Sequence, residues 1–256
     1  MKTPATLKLT VLLILVSIPF ISGHTALLQA ADVKSQVAWL NRAMALDRAK
    51  DWQGQLEWCL EWTKSKPEDN LAWSFLGDAY AQLERYNDAI EAYRQTIPLG
   101  GNHVNALVWC RIGKIYFKLE RYNDAIEALR QSIRLNPEGG DAVVWGLLGG
   151  AYALLQRYND AIEALRQSIR LNPEGGDAVV WSFLGDAYAQ LERYNDAIEA
   201  YRQAIRLNPE HADTWYNLGV SYALSGNRTA ALDAHKELRR LDPKMADTLF
   251  DIIVPR

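Results

Sequence analysis

Two cysteines, four histidines and three methionines in 256 residues put several kinds of protein out of reach. A single pair of cysteines supplies no disulfide framework. Cys59 and Cys110 fall in different units of the repeat described below, and if those units stack they are expected to stand further apart than the roughly 7 Å of Cα separation a disulfide spans. They are expected as free thiols packed as small apolar groups, without a redox role. His24, His103, His211 and His235 are scattered with no metal-site spacing. A nucleophile elbow, a phosphate-cradling Gly loop and a carboxylate pair distinguishable from surface charge are all missing. Charge of one sign is also scarce: 28 Lys and Arg stand against 31 Asp and Glu, a net charge of −3. Basic residues alternate with acidic ones, so no positive face is set aside for a phosphate backbone. The expectation is a chain without catalytic residues, cofactor or metal, and without nucleic acid as a partner.

The start of the chain differs from the rest in both charge and texture. Lys2 and Lys8 precede the run Leu9 to Ile21, broken by Pro19 and followed by Ser22 and Gly23. A basic start, a short apolar stretch and small residues make the pattern of a secretory signal over residues 1–23. Cleavage is expected after Gly23, with Ala30 as an alternative site. An uncleaved anchor over residues 9–21 is the other reading. Both put the remainder outside the cytoplasm, periplasmic or secreted, because the positive residues stay inside. No Cys follows the run to accept a lipid.

Tryptophan is abundant by contrast, and it recurs. Trp73, Trp109, Trp145, Trp181 and Trp215 are spaced by 36, 36, 36 and 34 residues, a period that marks a stacked array of helical units. Each Trp opens the same pattern: Leu76, Gly77 and Tyr80 follow Trp73; Ile112, Gly113 and Tyr116 follow Trp109; Leu148, Gly149 and Tyr152 follow Trp145; Leu184, Gly185 and Tyr188 follow Trp181; Leu218, Gly219 and Tyr222 follow Trp215. Steps of three, one and three residues make one stripe on a helix. Gly, and later Ala89, Ala125, Ala161, Ala197 and Ala231, remove bulk where two helices approach. Asp in the first turn of the second helix and Arg202 and Arg206 near its end suit the helix dipole. Pro137, Pro173, Pro209 and Pro243 stop that helix.

In two turns Gly139-Gly140 and Gly175-Gly176 add two residues, followed by Asp141 and Asp177 as helix N-caps. In the first full unit Pro98 arrives early. Its second helix is expected to end near Thr96, leaving a loop from Leu99 to Val104 with His103 as an ordinary exposed loop residue.

These five units resemble the tetratricopeptide repeat family, whose pattern of large, small and aromatic positions they match in tandem. The resemblance implies an all-α, right-handed helix-turn-helix solenoid that binds peptides on the concave face lined by the first helices. The divisions follow: residues 24–67 as linker and degenerate first repeat, with Trp39 opening a unit that ends at Pro67; residues 68–244 as five repeats; residues 245–256 as a cap. In the first unit Arg42 and Ala43 replace the expected Leu and Gly. At the far end Met245 to Val254 is expected as a short helix laying Leu249 and Ile252 on the last apolar face.

Duplication bears on function. Residues 73–95 equal 181–203 letter for letter, as 121–145 equal 157–181. A catalytic site needs different groups in one place, whereas duplication supplies the same groups in many. The informative positions are those that differ on the first helices: Ser74 and Asp78; Cys110, Arg111, Lys114 and Lys118; Gly146 and Gly150; Ser182 and Asp186; Tyr216, Asn217 and Val220. They predict a groove with a basic patch at Arg111, Lys114 and Lys118 for an acidic side chain, flanked by Asp78 and Asp186. Gly146 and Gly150 leave room for close backbone approach, and Tyr216 and Asn217 make an amphipathic end. Family members that grip a C-terminal carboxylate carry Lys and Asn where this chain has Ser74 and Asp78, which argues against that mode.

Trp58 and Trp62, four apart on one helix face, together with Trp39 and Trp52 read either as cap packing or as an exposed aromatic interface. Asn227-Arg228-Thr229 matches a glycosylation sequon, of consequence only in a eukaryote. The expected function is an exported scaffold that binds peptide segments of other proteins, in assembly of an envelope or secreted complex. A structural spacer that self-associates through its Trp-rich end, giving a homo-oligomer, and an accessory domain of a glycan or cell-wall enzyme are the alternatives.

Overall fold

The computed structural model describes residues 23–137, 141–173 and 177–254, with side chains from Ser35 onward. The basic and apolar start of the chain and the two Gly-Gly pairs lie outside the described residues. Among the described residues are thirteen α-helices and no strands. They are α1 (Gly23–Ala49), α2 (Trp52–Ser65), α3 (Asn70–Gln82), α4 (Tyr86–Thr96), α5 (Asn102–Lys118), α6 (Tyr122–Leu135), α7 (Ala142–Leu154), α8 (Tyr158–Leu171), α9 (Ala178–Gln190), α10 (Tyr194–Leu207), α11 (Ala212–Leu224), α12 (Arg228–Leu241) and α13 (Pro243–Ile253). Consecutive helices pair as the two arms of each unit, and the pairs stack into a right-handed solenoid. None of these helices is long and apolar enough to cross a membrane.

The pairing has a steric basis that repeats in four of the units. A Cβ on Gly77, Gly149 or Gly185 would lie 2.5 Å from Tyr93, Leu165 or Tyr201 of the following helix, and one on Gly113 would lie 2.7 Å from Leu129. Only a hydrogen fits there, which fixes the approach of the two arms. The five repeated alanines of the second arms are completely buried. The Trp residues are half-buried at the rim instead of central, and the indoles of Trp73 and Trp215 donate to the carbonyls of Pro67 and Pro209 at 2.8 Å.

The turn between the arms is a helix C-cap in which Glu84, Glu120, Gln156 and Glu192 adopt φ of 58° to 59°, and Gly226 takes the same place at 83°. Arg85 N donates to Tyr80 O at 2.9 Å and Glu84 N to Ala81 O at 3.2 Å, the paired bonds of a Schellman motif. The next residue, Arg85, Arg121, Arg157 or Arg193, bridges to the Asp three positions on at 2.6 to 2.7 Å. Its guanidinium also lies 4.5 to 4.6 Å from the ring centre of Tyr80, Tyr116, Tyr152 or Tyr188. The arms thus enter each second helix with a fixed register. Those helices end at Leu135, Leu171, Leu207 and Leu241, two residues before each Pro, and Asp141 and Asp177 accept from the amides of Val143 and Val179 as N-caps.

Three sequence expectations are corrected. The loop expected from Leu99 to Val104 is only Gly100 and Gly101. Ile97–Leu99 continues α4 as a 3-10 turn, Asn105 ties back to Ile97 O at 3.0 Å, and His103 sits in the first turn of α5. The first arm of the degenerate unit begins at Gly23, well before Trp39; Ala43 occupies the Gly place and is completely buried. The terminal helix starts at Pro243, not Met245, and the residue it buries beside Leu249 is Ile253; Ile252 is exposed. Ala246, Leu249 and Ile253 are the positions that share one helix face.

Candidate inner groove

Successive first arms (α5 with α7, α7 with α9, α9 with α11) touch more closely than successive second arms, so the array curves with the first arms inside. Their inner face carries a row of aliphatic side chains, Leu107, Val143 and Val179, which are 51%, 56% and 56% exposed and 36 residues apart. A cavity of about 320 Å³ opens beside them, walled by Phe117, Val143, Leu147, Val179, Val180 and Phe183. A second, of about 430 Å³, lies further along, between Leu154, Phe183, Asp186, Tyr201, Asn217 and Val220. A third, of about 240 Å³, holds Asp186, Ser182, His211 and Thr214. Phe183 borders all three.

The expected site residues fall as follows. Arg111 does not stand free: its Nη1 bridges to Asp78 Oδ2 at 3.2 Å and donates to Ser74 Oγ at 2.6 Å. Asp78 Oδ1 accepts from the buried Tyr93 hydroxyl at 2.6 Å. Burial pushes the Asp78 carboxyl above its ordinary value, with Arg111 and the Tyr93 hydrogen bond pulling it back and Asp47 adding to the rise. Lys114 and Lys118 remain exposed, Lys118 Nζ lying 5.8 Å from the centre of the Tyr86 ring. The basic patch of three is therefore two lysines beside a neutralised arginine.

Gly146 and Gly150 are buried, not open to an approaching backbone. A Cβ at Gly150 would meet Phe117 and Phe183 at 3.3 Å, and one at Gly146 would meet Val180 at 3.0 Å. Rings from the units on either side close over the missing side chains, so this stretch is an apolar slot. Asp186 and Asn217 come together: Asn217 Nδ2 donates to Asp186 Oδ1 at 3.0 Å, as does the Tyr201 hydroxyl at 2.7 Å. Burial raises the Asp186 carboxyl, and both hydrogen bonds oppose the rise. Tyr216 packs half-buried against the core.

The thiols are free. Burial pushes Cys59 up to about 12, with the field of Asp78 adding to the rise, which leaves no reactive thiolate. In the degenerate unit Trp62 is completely buried, Trp39 stacks on it at 6.0 Å and meets Trp58 at 4.4 Å, and Trp58 donates to Trp39 O. The Trp58 and Trp62 face is thus turned into the cap. Asn227 is exposed and serves as N-cap of α12, accepting from Ala230 N at 3.2 Å.

Two features escaped the sequence reading. The Tyr–Asp pairs could have been found from the joint change of two positions: Asp78 and Asp186 occur with Tyr93 and Tyr201, where the second and third repeats combine Lys114 with Leu129 and Gly150 with Leu165, and the fifth Val220 with His235. The exposed aliphatic row was signalled by Leu107, Val143 and Val179, each two residues before a Trp.

Antiparallel helix pairs locked by a Gly against a Tyr or Leu, and stacked with their first arms inside, define a helical repeat scaffold. The chain belongs to the tetratricopeptide-repeat family: the family model of the cilia and flagella-associated protein 70 C-terminal domain matches residues 22–249. No catalytic family is indicated. No curated protein matches the chain. Among solved structures, YrrB, described as a tetratricopeptide-repeat protein with an unusual peptide-binding site, is 20% identical with a TM-score of 0.66, covering 75% of this chain and 97% of its own. MamA is 27% identical with a TM-score of 0.61, over 70% of this chain and 94% of its own. The match in the Cut9–Hcn1 hetero-tetramer of the APC/C is 21% identical with a TM-score of 0.64; it covers 85% of this chain, which spans only 42% of that one.

Proposed function

We propose that this chain is an exported, non-enzymatic scaffold that binds peptide segments of partner proteins along its inner groove, in assembly of an envelope or secreted complex. The observation that carries the reading is the row Leu107, Val143 and Val179, each at least half exposed, of which Val143 and Val179 border the run of cavities. Aliphatic side chains held in water at regular intervals on a concave face are a surface that gains by being covered. Family membership supports a protein–protein role, and YrrB, of similar fold, has a peptide-binding site. Export rests on Lys2, Lys8 and the run Leu9 to Ile21.

Affinity capture with the chain from Gly23 onward tests the groove, with Val143→Asp/Val179→Asp as the comparison after circular dichroism confirms equal helicity. The reading expects a bound set of proteins that the double variant loses. Capture that is the same for both would overturn it. Fusion of residues 1–30 to alkaline phosphatase, active only outside the cytoplasm, tests export, and an inactive fusion would overturn that part.

A further inference from the structure

The duplication makes an internal experiment. Residues 73–95 and 181–203 are identical, so α3–α4 and α9–α10 present the same carboxylate on the same helix to the unit that follows. Those following units differ. Two residues after its Trp, one has Arg111 and the other has Asn217.

In the first copy each carboxylate oxygen of Asp78 has its own partner. Oδ1 accepts from Tyr93 and Oδ2 faces the Arg111 guanidinium. In the second copy Oδ1 of Asp186 accepts from both Tyr201 and Asn217, while Oδ2 has no hydrogen bond or ion pair among the described residues. Asn217 stands where the cation stands in the other copy and brings no charge. Among the described residues, the basic group that lines a cavity together with Asp186 is His211, and it is directed elsewhere: Nδ1 to Thr214 Oγ1 at 2.9 Å, Nε2 to Asp213 at 3.9 Å. Asp213 is itself an acid. The place where a cation is missing is not closed over, because Asp186 borders both the cavity of about 430 Å³ and the one of about 240 Å³. The larger cavity has Leu154, Phe183 and Val220 in its wall, and of the polar groups that line it, Gln190, Asn217, Ser221 and the tyrosines among them, Asp186 alone is a carboxylate.

We infer that Asp186 is the anchor for an arginine side chain of a bound peptide. The guanidinium takes the place that Arg111 fills from within in the first copy, and its aliphatic stem lies on Phe183 and Leu154. This rests on the groove reading above and adds its chemistry: a peptide with an arginine beside apolar residues, the latter covering Val143 and Val179. A guanidinium matches the internal precedent, and its planar fork pairs with a carboxylate more specifically than an ammonium does. The assignment also reverses the charge preference expected from the lysine patch, and it places the polar contact four to five units along the array.

Selection of a random nine-residue peptide display library on the chain from Gly23 onward tests the inference. Enriched peptides are then measured on the wild type, Asp186→Asn, Asn217→Arg and Val143→Asp/Val179→Asp. Asn217→Arg rebuilds the internal pair of the first copy and should fold at least as stably as the wild type. The expected result is peptides with a recurring arginine that lose at least tenfold in affinity on Asp186→Asn, on Asn217→Arg and when the arginine is replaced by its neutral isostere citrulline. Peptides lost on Val143→Asp/Val179→Asp but lacking arginine, or indifferent to Asp186→Asn and Asn217→Arg, would overturn the arginine anchor and leave the groove standing. No enrichment over the bare support, or binding indifferent to every variant, would overturn both.

Discussion

Gly185→Ala adds one methyl group at the closest approach of two helices. A Cβ on Gly185 would stand 2.5 Å from Cε1, 2.6 Å from Cδ1 and 2.9 Å from Cζ of Tyr201. Carbon atoms settle at about 3.5–4.0 Å, so the ring must retreat by about 1 Å. It has nowhere to go, since Tyr201 is 1% exposed and its hydroxyl is held by Asp186 at 2.7 Å. Inserting a methyl group into such packing costs about 1–3 kcal/mol, and a contact this short lies in the upper part of that range. Exchanging Gly for Ala within a helix gains back about 1 kcal/mol. The expected net loss is about 1–2 kcal/mol. Urea unfolding followed by circular dichroism measures it, and hydrogen exchange should place the loss in α9 and α10, since in stacked repeats stability is held locally. Gly77→Ala, opposite Tyr93 at 2.5 Å in the identical copy, should give the same sign. A Gly185→Ala chain as stable as the wild type, or more so, would refute the claim that this glycine sets the spacing of the arms.

Three further outcomes follow from single residues. Gln55 is completely buried and neither end of its amide has a hydrogen bond among the described residues, so Gln55→Met should raise stability by about 1 kcal/mol in urea unfolding; a loss would contradict this. Gly226 has φ 83°, where an L side chain is strained, so Gly226→Ala should lower the thermal midpoint with a cost of about 1–2 kcal/mol, and Glu192→Gly at φ 58° should raise it; shifts of the same sign would count against the turn geometry. Asp186 has a folded-state carboxyl raised by burial, so the folded chain holds its proton to higher pH than the unfolded chain does. Its contribution is therefore favourable below the ordinary value of 3.8 and is lost as pH rises through the folded value, with Asp213 and His211 as the charges near it. Asp186→Asn should accordingly be more stable than the wild type at pH 7, with the advantage vanishing towards pH 3.8; a difference that stays constant over that window would sink the argument.

Features confined to one unit were legible in the sequence. The recurring Trp, Gly and Ala set the helix pairs, Asp141 and Asp177 cap as their type and place suggest, and the helices stop just ahead of each Pro. Contacts between units were not legible, because a reading position by position treats each unit as if alone. Arg111 reads as a free cation until Asp78, 33 residues earlier, is seen against it. Gly150 reads as bare backbone until Phe117 and Phe183, one unit away on each side, close over it. Two of the corrected helix bounds share another cause. A proline reads as a stop in sequence, yet Pro243 opens α13 and Pro98 extends α4 through a 3-10 turn, since its fixed φ suits a first helical turn as well as an end.

The central claim is that partners bind along the first arms. A photo-crosslinking residue placed in the producing cell at Val143 or Val179, both exposed on the inner face, tests it against the same residue at Glu127 or Glu199, exposed on second arms. The account predicts adducts with a common peptide segment from the two inner positions and none from the outer two. Adducts confined to Glu127 and Glu199, or none from Val143 and Val179, would contradict it.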